Sequence, residues 1–401
     1  MTAILTDALP RRLSRRAGAV AVAYAFGVTM LGTTLPTPLY SLYQRQFGFA
    51  SLLTTVIYAV YAGGVLAALL LFGRVSDVLG RRRVLLAGLV ASALSAVVFL
   101  TDSGVAALFV GRILSGLSAG IFTGTATVAL VELMDERRPE RSTMTATAVN
   151  MLGLGSGPLL AGLLAEYLPA PLRLPFGVDL ALLALAAIGV WLLPEAAPGR
   201  LSGWPRPQGI AVPEPVRAVF VPAAIAVFAA FAVFGLLTAI EPGFLATLLH
   251  QTNRAVAGAI VFSMFAGSAV GQAILSRIPQ RRALPAGAAV LLIGLAGIAA
   301  ALIWSLLAPL IAGTIVIGIG QGISFRAGMS AITARAPAER RAETVSSFFV
   351  VAYVGISVPV ILVGVAVRLW GLRAAGIAFT AVVAAITLVA LAAIRWLQAT
   401  K

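Results

Sequence analysis

Twelve membrane-crossing α-helices arranged as two six-helix halves, an all-α polytopic membrane fold, are what this sequence predicts, and three observations carry the prediction. Apolar residues make up 60% of its 401 positions and charged ones 11%, with a mean hydropathy of +1.01. A water-soluble core cannot absorb that much apolar surface. The apolar residues fall into twelve runs of roughly the 20 residues needed to cross a bilayer. The chain also repeats itself loosely at an offset near 200 residues.

The runs lie near residues 17–43, 51–73, 83–101, 105–131, 142–167, 173–194, 217–249, 253–275, 283–304, 307–333, 342–367 and 372–395. The first follows Arg11, Arg12, Arg15 and Arg16. It is longer than the short apolar region of a signal peptide and lacks a convincing cleavage site, so it is expected to stay as a membrane span. Spans two and three are joined by Gly73-Arg74-Val75-Ser76-Asp77-Val78-Leu79-Gly80-Arg81-Arg82-Arg83, a charged hinge. Span four holds Arg112 near its start, and span five a run of glycines around Pro158. After span six, residues 194–216 carry Pro194, Pro198, Pro205, Pro207, Pro213 and Pro215 with Gly199, Gly203 and Gly209, the composition of a linker. The expected organisation is an N-terminal half (1–193), this linker and a C-terminal half (217–401).

Spans seven to twelve echo spans one to six. Pro36-Thr37-Pro38-Leu39-Tyr40 answers to Ile240-Glu241-Pro242-Gly243-Phe244, and Tyr58-Ala59-Val60-Tyr61-Ala62-Gly63 to Phe262-Ser263-Met264-Phe265-Ala266-Gly267. The hinge answers to Ser276-Arg277-Ile278-Pro279-Gln280-Arg281-Arg282, and Pro158 to Pro359. Any one match is easily found in apolar sequence; four in order indicate two related halves.

The net charge of +15 is topology rather than a nucleic-acid surface. With the N-terminus inside, the termini and the loops after even-numbered spans hold 23 of the 29 basic residues. The positive-inside bias therefore predicts cytoplasmic termini. With no cysteine, a single histidine (His250) and Lys401 as the only lysine, the chain has no thiolate metal site, histidine cluster or phosphate-binding loop with its lysine. No metal or cofactor is expected, and no nucleophile, base and orienting group form a recognisable enzyme site.

Two six-span halves, the hinge after span two and the linker after span six resemble the major facilitator superfamily of secondary transporters over essentially the whole chain. Its hinge signature is matched by Gly73, Val75, Ser76, Asp77, Gly80, Arg81 and Arg82, and departed from at Val78, where the family prefers a base. The resemblance implies a conformational latch. Asp77 would touch the start of span eleven, near 343–347, gaining the favourable dipole of a helix N-terminus. Arg81 would pair with Glu132 or Asp135 at the inner end of span four. These contacts would form in one state and break in the other. The alternative is that the arginines only anchor topology.

Gly153-Leu154-Gly155-Ser156-Gly157-Pro158-Leu159-Leu160-Ala161-Gly162 resembles the antiporter signature of the superfamily's drug and metabolite efflux branch, with Ala161 replacing one glycine. Glycines at this spacing let another helix approach closely, and proline bends the helix and frees a carbonyl. Arg112, followed by Ser115, Gly116, Ser118 and Gly120, resembles the family's span-four motif, with Ser115 in place of its glutamine. An arginine inside a span costs about 2.5 to 3.5 kcal/mol if central and therefore faces a partner or a wet cavity. It would control a proton-carrying acid, or snorkel to the outer interface.

Span one, which carries a membrane-embedded acid in several efflux relatives, has none here. Glu241 in span seven is the first candidate for proton coupling and Asp179 in span six the second. Cavity-lining candidates are Tyr24, Thr33, Tyr58, Tyr61, Phe122, Asn150, Phe234, Gln321 and Tyr353. An apolar cavity with few charges suits a lipophilic or amphipathic compound. The resemblance thus implies a proton-driven exporter working by alternating access, its partners being a small-molecule substrate, protons and the lipid bilayer, and its working unit a monomer. Uptake by symport or facilitated diffusion, and a membrane sensor without flux, are the alternatives. Arginine usage with a single lysine fits a high-GC bacterial coding sequence, hence a cytoplasmic (inner) membrane.

Overall fold

The computed structural model describes residues 13–73, 75–101, 103–134, 139–194 and 207–399 and, of residues 139, 140 and 241, the backbone alone. Among the described residues, twelve helices are long and apolar enough to cross a membrane. Span one runs Arg15–Phe47, span two Ser51–Phe72, span three Arg81–Thr101, span four Val105–Leu133, span five Arg141–Tyr167 and span six Leu174–Trp191. Span seven is the helix Glu214–Leu248, span eight Arg254–Ile274, span nine Gln280–Trp304, span ten Leu307–Thr333, span eleven Arg341–Trp370 and span twelve Leu372–Ala399. Every predicted run has its helix.

The ends differ where helix and apolar run are different things. Span seven begins at Glu214 and span twelve runs to Ala399, beyond the predicted 217 and 395. An apolar run marks the part that lies in lipid, whereas the backbone ladder continues into polar residues until a breaker stops it. Span one likewise extends to Phe47, where Gly48 ends it at φ 68°. Pro36 and Pro38 interrupt that span as a 3-10 turn, Thr37–Leu39, because each removes a backbone donor. Side chains cap two starts: Ser14 accepts from the Ala17 N–H at 3.3 Å, and Asn253 from the Val256 N–H at 3.1 Å.

The outer surface of the bundle is apolar. Val20, Ile293, Leu362 and Trp396 point away from the protein, as lipid-facing residues must. Between helices there is no hydrophobic force in lipid to gather them, so close packing of small residues does the work. Gly116 of span four lies against the Tyr61 carbonyl of span two, and Gly318 of span ten against the Met264 carbonyl of span eight. A β-carbon at either glycine would collide with backbone.

The packing repeats with the sequence. Span one contacts spans four, five and six; span seven contacts spans ten, eleven and twelve. Spans two and three pack on span four, as spans eight and nine pack on span ten. Across the halves the main seams are span two with span eleven and span five with span eight. Exchanging the halves exchanges these two seams, which is pseudo-two-fold symmetry.

Candidate transport site

The hinge is a short helix, Val75–Leu79, closed by Gly80 at φ 88°, a left-handed conformation that favours glycine. Arg74 lies outside the described residues. Arg81 is the centre of the cluster: its NH1 donates to Ser76 Oγ at 2.5 Å and Asp77 Oδ1 at 2.6 Å, and its NH2 to Glu132 Oε1 at 3.1 Å. Glu132 is therefore the acid at the end of span four that meets the hinge, while the alternative, Asp135, lies outside the described residues. Arg82 stacks over Trp191 at the end of span six, 4.8 Å from the ring.

Asp77 bonds Arg81, and it is the linker that reaches the start of span eleven. The linker bridges the end of span two and the start of span eleven: the Gln208 N–H donates to the Leu70 carbonyl at 2.7 Å, and Ser347 Oγ donates to the Ala211 carbonyl at 3.2 Å. Leu70 sits in the last turn of span two, where carbonyls lack an intrahelical donor. A passing strand of linker satisfies it, and Gly73 leaves room for the Gln208 side chain. Asp77, already held by Arg81, is not needed there.

Span five uses its glycines on two faces. Gly153 and Gly157 take span one, against the Gly27 and Leu31 carbonyls; Gly155 takes Phe262 and Phe265 of span eight; Gly162 lies against the Arg254 carbonyl. Pro158 has no N–H to give to Leu154, four residues back, and Thr34 Oγ supplies the missing bond at 2.6 Å. The Pro158 carbonyl abuts Gly258. At the end of this seam Glu166 Oε2 accepts from both the backbone N–H and NH1 of Arg254, each at 3.1 Å. This tie between halves is not legible in the sequence, where the two residues are 88 apart.

Arg112 is 2% exposed, so it does not snorkel. Its NH1 donates to the Thr33 carbonyl of span one and its NH2 approaches the Tyr58 carbonyl at 3.5 Å. The guanidinium lies 4.5 Å from the Tyr61 ring centre and 5.6 Å from that of Tyr58, a cation–π geometry. Carbonyls and aromatic faces, rather than an acid, hold this charge. The Tyr58 hydroxyl faces Thr238 of span seven, while Tyr353 of span eleven stacks on Phe349, 6.4 Å between ring centres. A buried polar cluster thus spans the two halves.

Other cavity candidates sit elsewhere. Tyr24 is turned toward span six, its hydroxyl 3.3 Å from the Leu182 carbonyl. Phe122 is fully buried inside the first half, 6.3 Å from Phe26. Phe234 stands edge-on to Phe265 at 5.4 Å, and Gln321 accepts from Ser268 Oγ at 2.6 Å, both within the second half. Asn150 is half-buried, its Oδ1 without a hydrogen-bond partner among the described residues. Aromatic and amide groups in these helices serve packing first, which composition does not reveal.

A cavity of about 700 Å³ opens at the face opposite the hinge. Thr37, Tyr40, Gln44, Thr54 and Thr55 line it from the first half; Ile240, Pro242, Thr247, Gly364, Trp370 and Arg373 from the second. None of the nine predicted cavity residues lines it. Along their helices Thr33 and Tyr58 lie about one turn, and Tyr61 nearly two turns, from the lining residues Thr37 and Thr55, on the hinge side of the cavity. Ile240 and Pro242 flank Glu241, whose side chain lies outside the described residues. Asp179 is 2% exposed and packs on Gly32 of span one.

A family model described as Major Facilitator Superfamily matches residues 20–358. Over 154 residues the chain is 26% identical to Multidrug resistance protein MdtL of Citrobacter koseri, covering 38% of this chain and 39% of that one. Over 170 residues it is 32% identical to Puromycin resistance protein pur8 of Streptomyces alboniger, covering 42% and 33%. The matches thus span well under half of either relative. Among solved structures, a bacterial homologue of the human lysosomal transporter Spinster, in an inward-facing conformation, superposes with a TM-score of 0.70 at 16% identity, covering 95% of this chain and 97% of that one.

Proposed function

Because this chain belongs to the major facilitator superfamily, we propose that it is a secondary transporter of the inner membrane, with cytoplasmic termini, that exports a small lipophilic or amphipathic compound in exchange for protons. The cavity carries this reading. Both halves build its wall, so rocking one half against the other changes its shape and access, as alternating access requires. Its lining is mostly apolar, with threonines, Ser41, Ser51, Gln44, Tyr40, Trp370 and Arg373 as the polar or amphipathic groups. Such a wall favours a cargo that brings apolar area and a few hydrogen-bonding atoms. The names of the two relatives, one a multidrug and one a puromycin resistance protein, support a drug-like cargo.

In this reading the seams tighten and loosen in turn. Glu166 with Arg254 ties spans five and eight at the outer end, and the linker ties spans two and eleven at the inner one. Arg81, joining Asp77 to Glu132, keeps the hinge fixed to span four so that the first half moves as a body. Gly153, Gly157, Pro158 and Gly162 supply the smooth surface on which span five bears against spans one and eight.

The test is accumulation into inverted membrane vesicles across a panel of lipophilic compounds, with and without an inward-acidic gradient. Gradient-driven accumulation abolished by a protonophore is expected. Accumulation only in right-side-out vesicles would replace export by uptake, and no flux of any compound in either orientation would favour a sensor.

A further inference from the structure

The proton-exchange reading leaves open which group takes the proton. Resting on that reading, we propose that Asp179 of span six binds the transported proton, in a pocket that Gly32 of span one keeps open for its carboxyl group.

Asp179 is a buried carboxyl group whose Oδ1 has no hydrogen-bond partner among the described residues. It lies five residues into span six, about 7.5 Å along a helix that rises 1.5 Å per residue, and so within the apolar layer. A β-carbon on Gly32 would fall 2.8 Å from Oδ2 and 3.1 Å from Oδ1. The glycine is therefore what admits the carboxyl group against span one. Span one has no acid of its own, and span six delivers one to its flank.

No base reaches the site among the described groups. Span six packs on spans one, three and five. On span one, Arg15 and Arg16 lie at its start, Arg45 is exposed near its end, the Tyr24 hydroxyl is committed to Leu182, and Tyr40 and Tyr43 are buried beyond Pro36; at the start of span six itself Arg173 is exposed. On span three, Arg81 serves the hinge, Arg82 stacks on Trp191 and Arg83 is exposed. On span five, Arg141 is exposed, Glu166 holds Arg254 and the Tyr167 hydroxyl meets Asn253. A carboxyl group so placed gains and loses a proton with no ion pair to break. It is also a poor site for a metal cation, which needs several oxygen ligands together; no cluster of three or more acidic or metal-ligating side chains occurs among the described residues.

The chemistry is a single reversible step: a proton adds to a carboxylate oxygen from one side of the membrane and leaves to the other, and no other bond changes. What makes it useful is the neighbour of Gly32. Thr33 gives its carbonyl to Arg112, Arg112 lies on Tyr58 and Tyr61, and Tyr58 faces Thr238 in the other half. One turn of span one thus has a titrating group on one flank and, on the other, a buried cation tied to the seam between halves. Movement of that turn on protonation would be felt at the seam, as coupling through contiguous packed groups requires.

The experiment compares the wild type with Asp179→Asn, Gly32→Ala and Glu241→Gln in proteoliposomes. Gradient-driven accumulation and substrate-triggered proton movement, read with a pH dye, are measured beside substrate counterflow, which needs no net proton transfer. Asp179→Asn is expected to exchange substrate yet lose gradient-driven accumulation and proton movement by about tenfold or more. Gly32→Ala, which keeps the carboxyl group but crowds it, is expected to weaken the same two signals and spare counterflow. Wild-type coupling in Asp179→Asn, loss of coupling in Glu241→Gln alone, or dependence on sodium rather than protons would overturn the proposal. So would unimpaired coupling in Gly32→Ala should Asp179→Asn fail to fold. A wild type that moves substrate without protons would instead refute the exchange reading itself.

Discussion

Arg112 shows how a single residue is read differently once its neighbours are known. In sequence it is an arginine in an apolar run, costly unless partnered. In the fold its charge is spread over the Thr33 carbonyl, the Tyr58 carbonyl and two tyrosine faces. That arrangement needs a planar cation, which lysine is not. Arg112→Lys is therefore expected to lower stability by about 1 to 3 kcal/mol, from lost hydrogen bonds in a buried site. Thermal unfolding in detergent measures it, and transport should fall in parallel. At the hinge, Asp77→Asn removes the charge that holds Arg81 while keeping the side chain's shape. Vesicle transport well below the wild type is expected; equal transport would reduce the hinge arginines to topological anchors.

At the scale of the element, span five is the clearest case of a motif whose chemistry is geometry. Its glycines were legible in the sequence as a groove, and so was the carbonyl that Pro158 frees. Which helix fills each face was not, since nothing local to residues 153–162 distinguishes span one from span eight. The Thr34 hydroxyl on Leu154 comes from 120 residues away. Gly157→Ala would drive a β-carbon into the Leu31 carbonyl and Thr34, and a loss of about 1 to 3 kcal/mol is expected from overpacking. Gly124→Ala in span four meets nothing within 4 Å and is expected to be neutral or to stabilise by up to about 1 kcal/mol, as helical glycines usually allow. Unfolding of the two variants side by side separates close approach from helix propensity.

For the whole molecule, the two faces of the bundle carry ties of different kinds. On the face opposite the hinge, the carboxylate of Glu166 joins Arg254 across the halves; on the hinge face, linker backbone joins span two to span eleven. Glu166→Gln keeps the shape and removes the charge, at a cost of about 1 kcal/mol for a partly buried pair, or a shift of about fivefold toward states in which spans five and eight part at that end. Gln208→Pro deletes the N–H that serves Leu70 and should shift the balance by a similar factor in the opposite direction. Because the chain has no cysteine, label pairs placed at each end can read both shifts as distance distributions. The two variants combined should approach the wild-type distribution, as independent sites do.

By itself the sequence determined the number of helices, their rough limits, the two-fold repetition and the positions where backbone must pass closely. These follow from hydropathy, arginine placement and glycine spacing, all of which act along the chain. Only the tertiary structure decided that Tyr24, Phe122, Phe234 and Gln321 pack within or around their own halves, that Glu166 finds Arg254, that the linker bridges spans two and eleven, and that Asp179 is admitted against Gly32. In an apolar solvent every helix is apolar on most faces, so amphipathic periodicity does not say which face meets protein. That choice rests on small residues and a few buried polar groups drawn from distant parts of the chain.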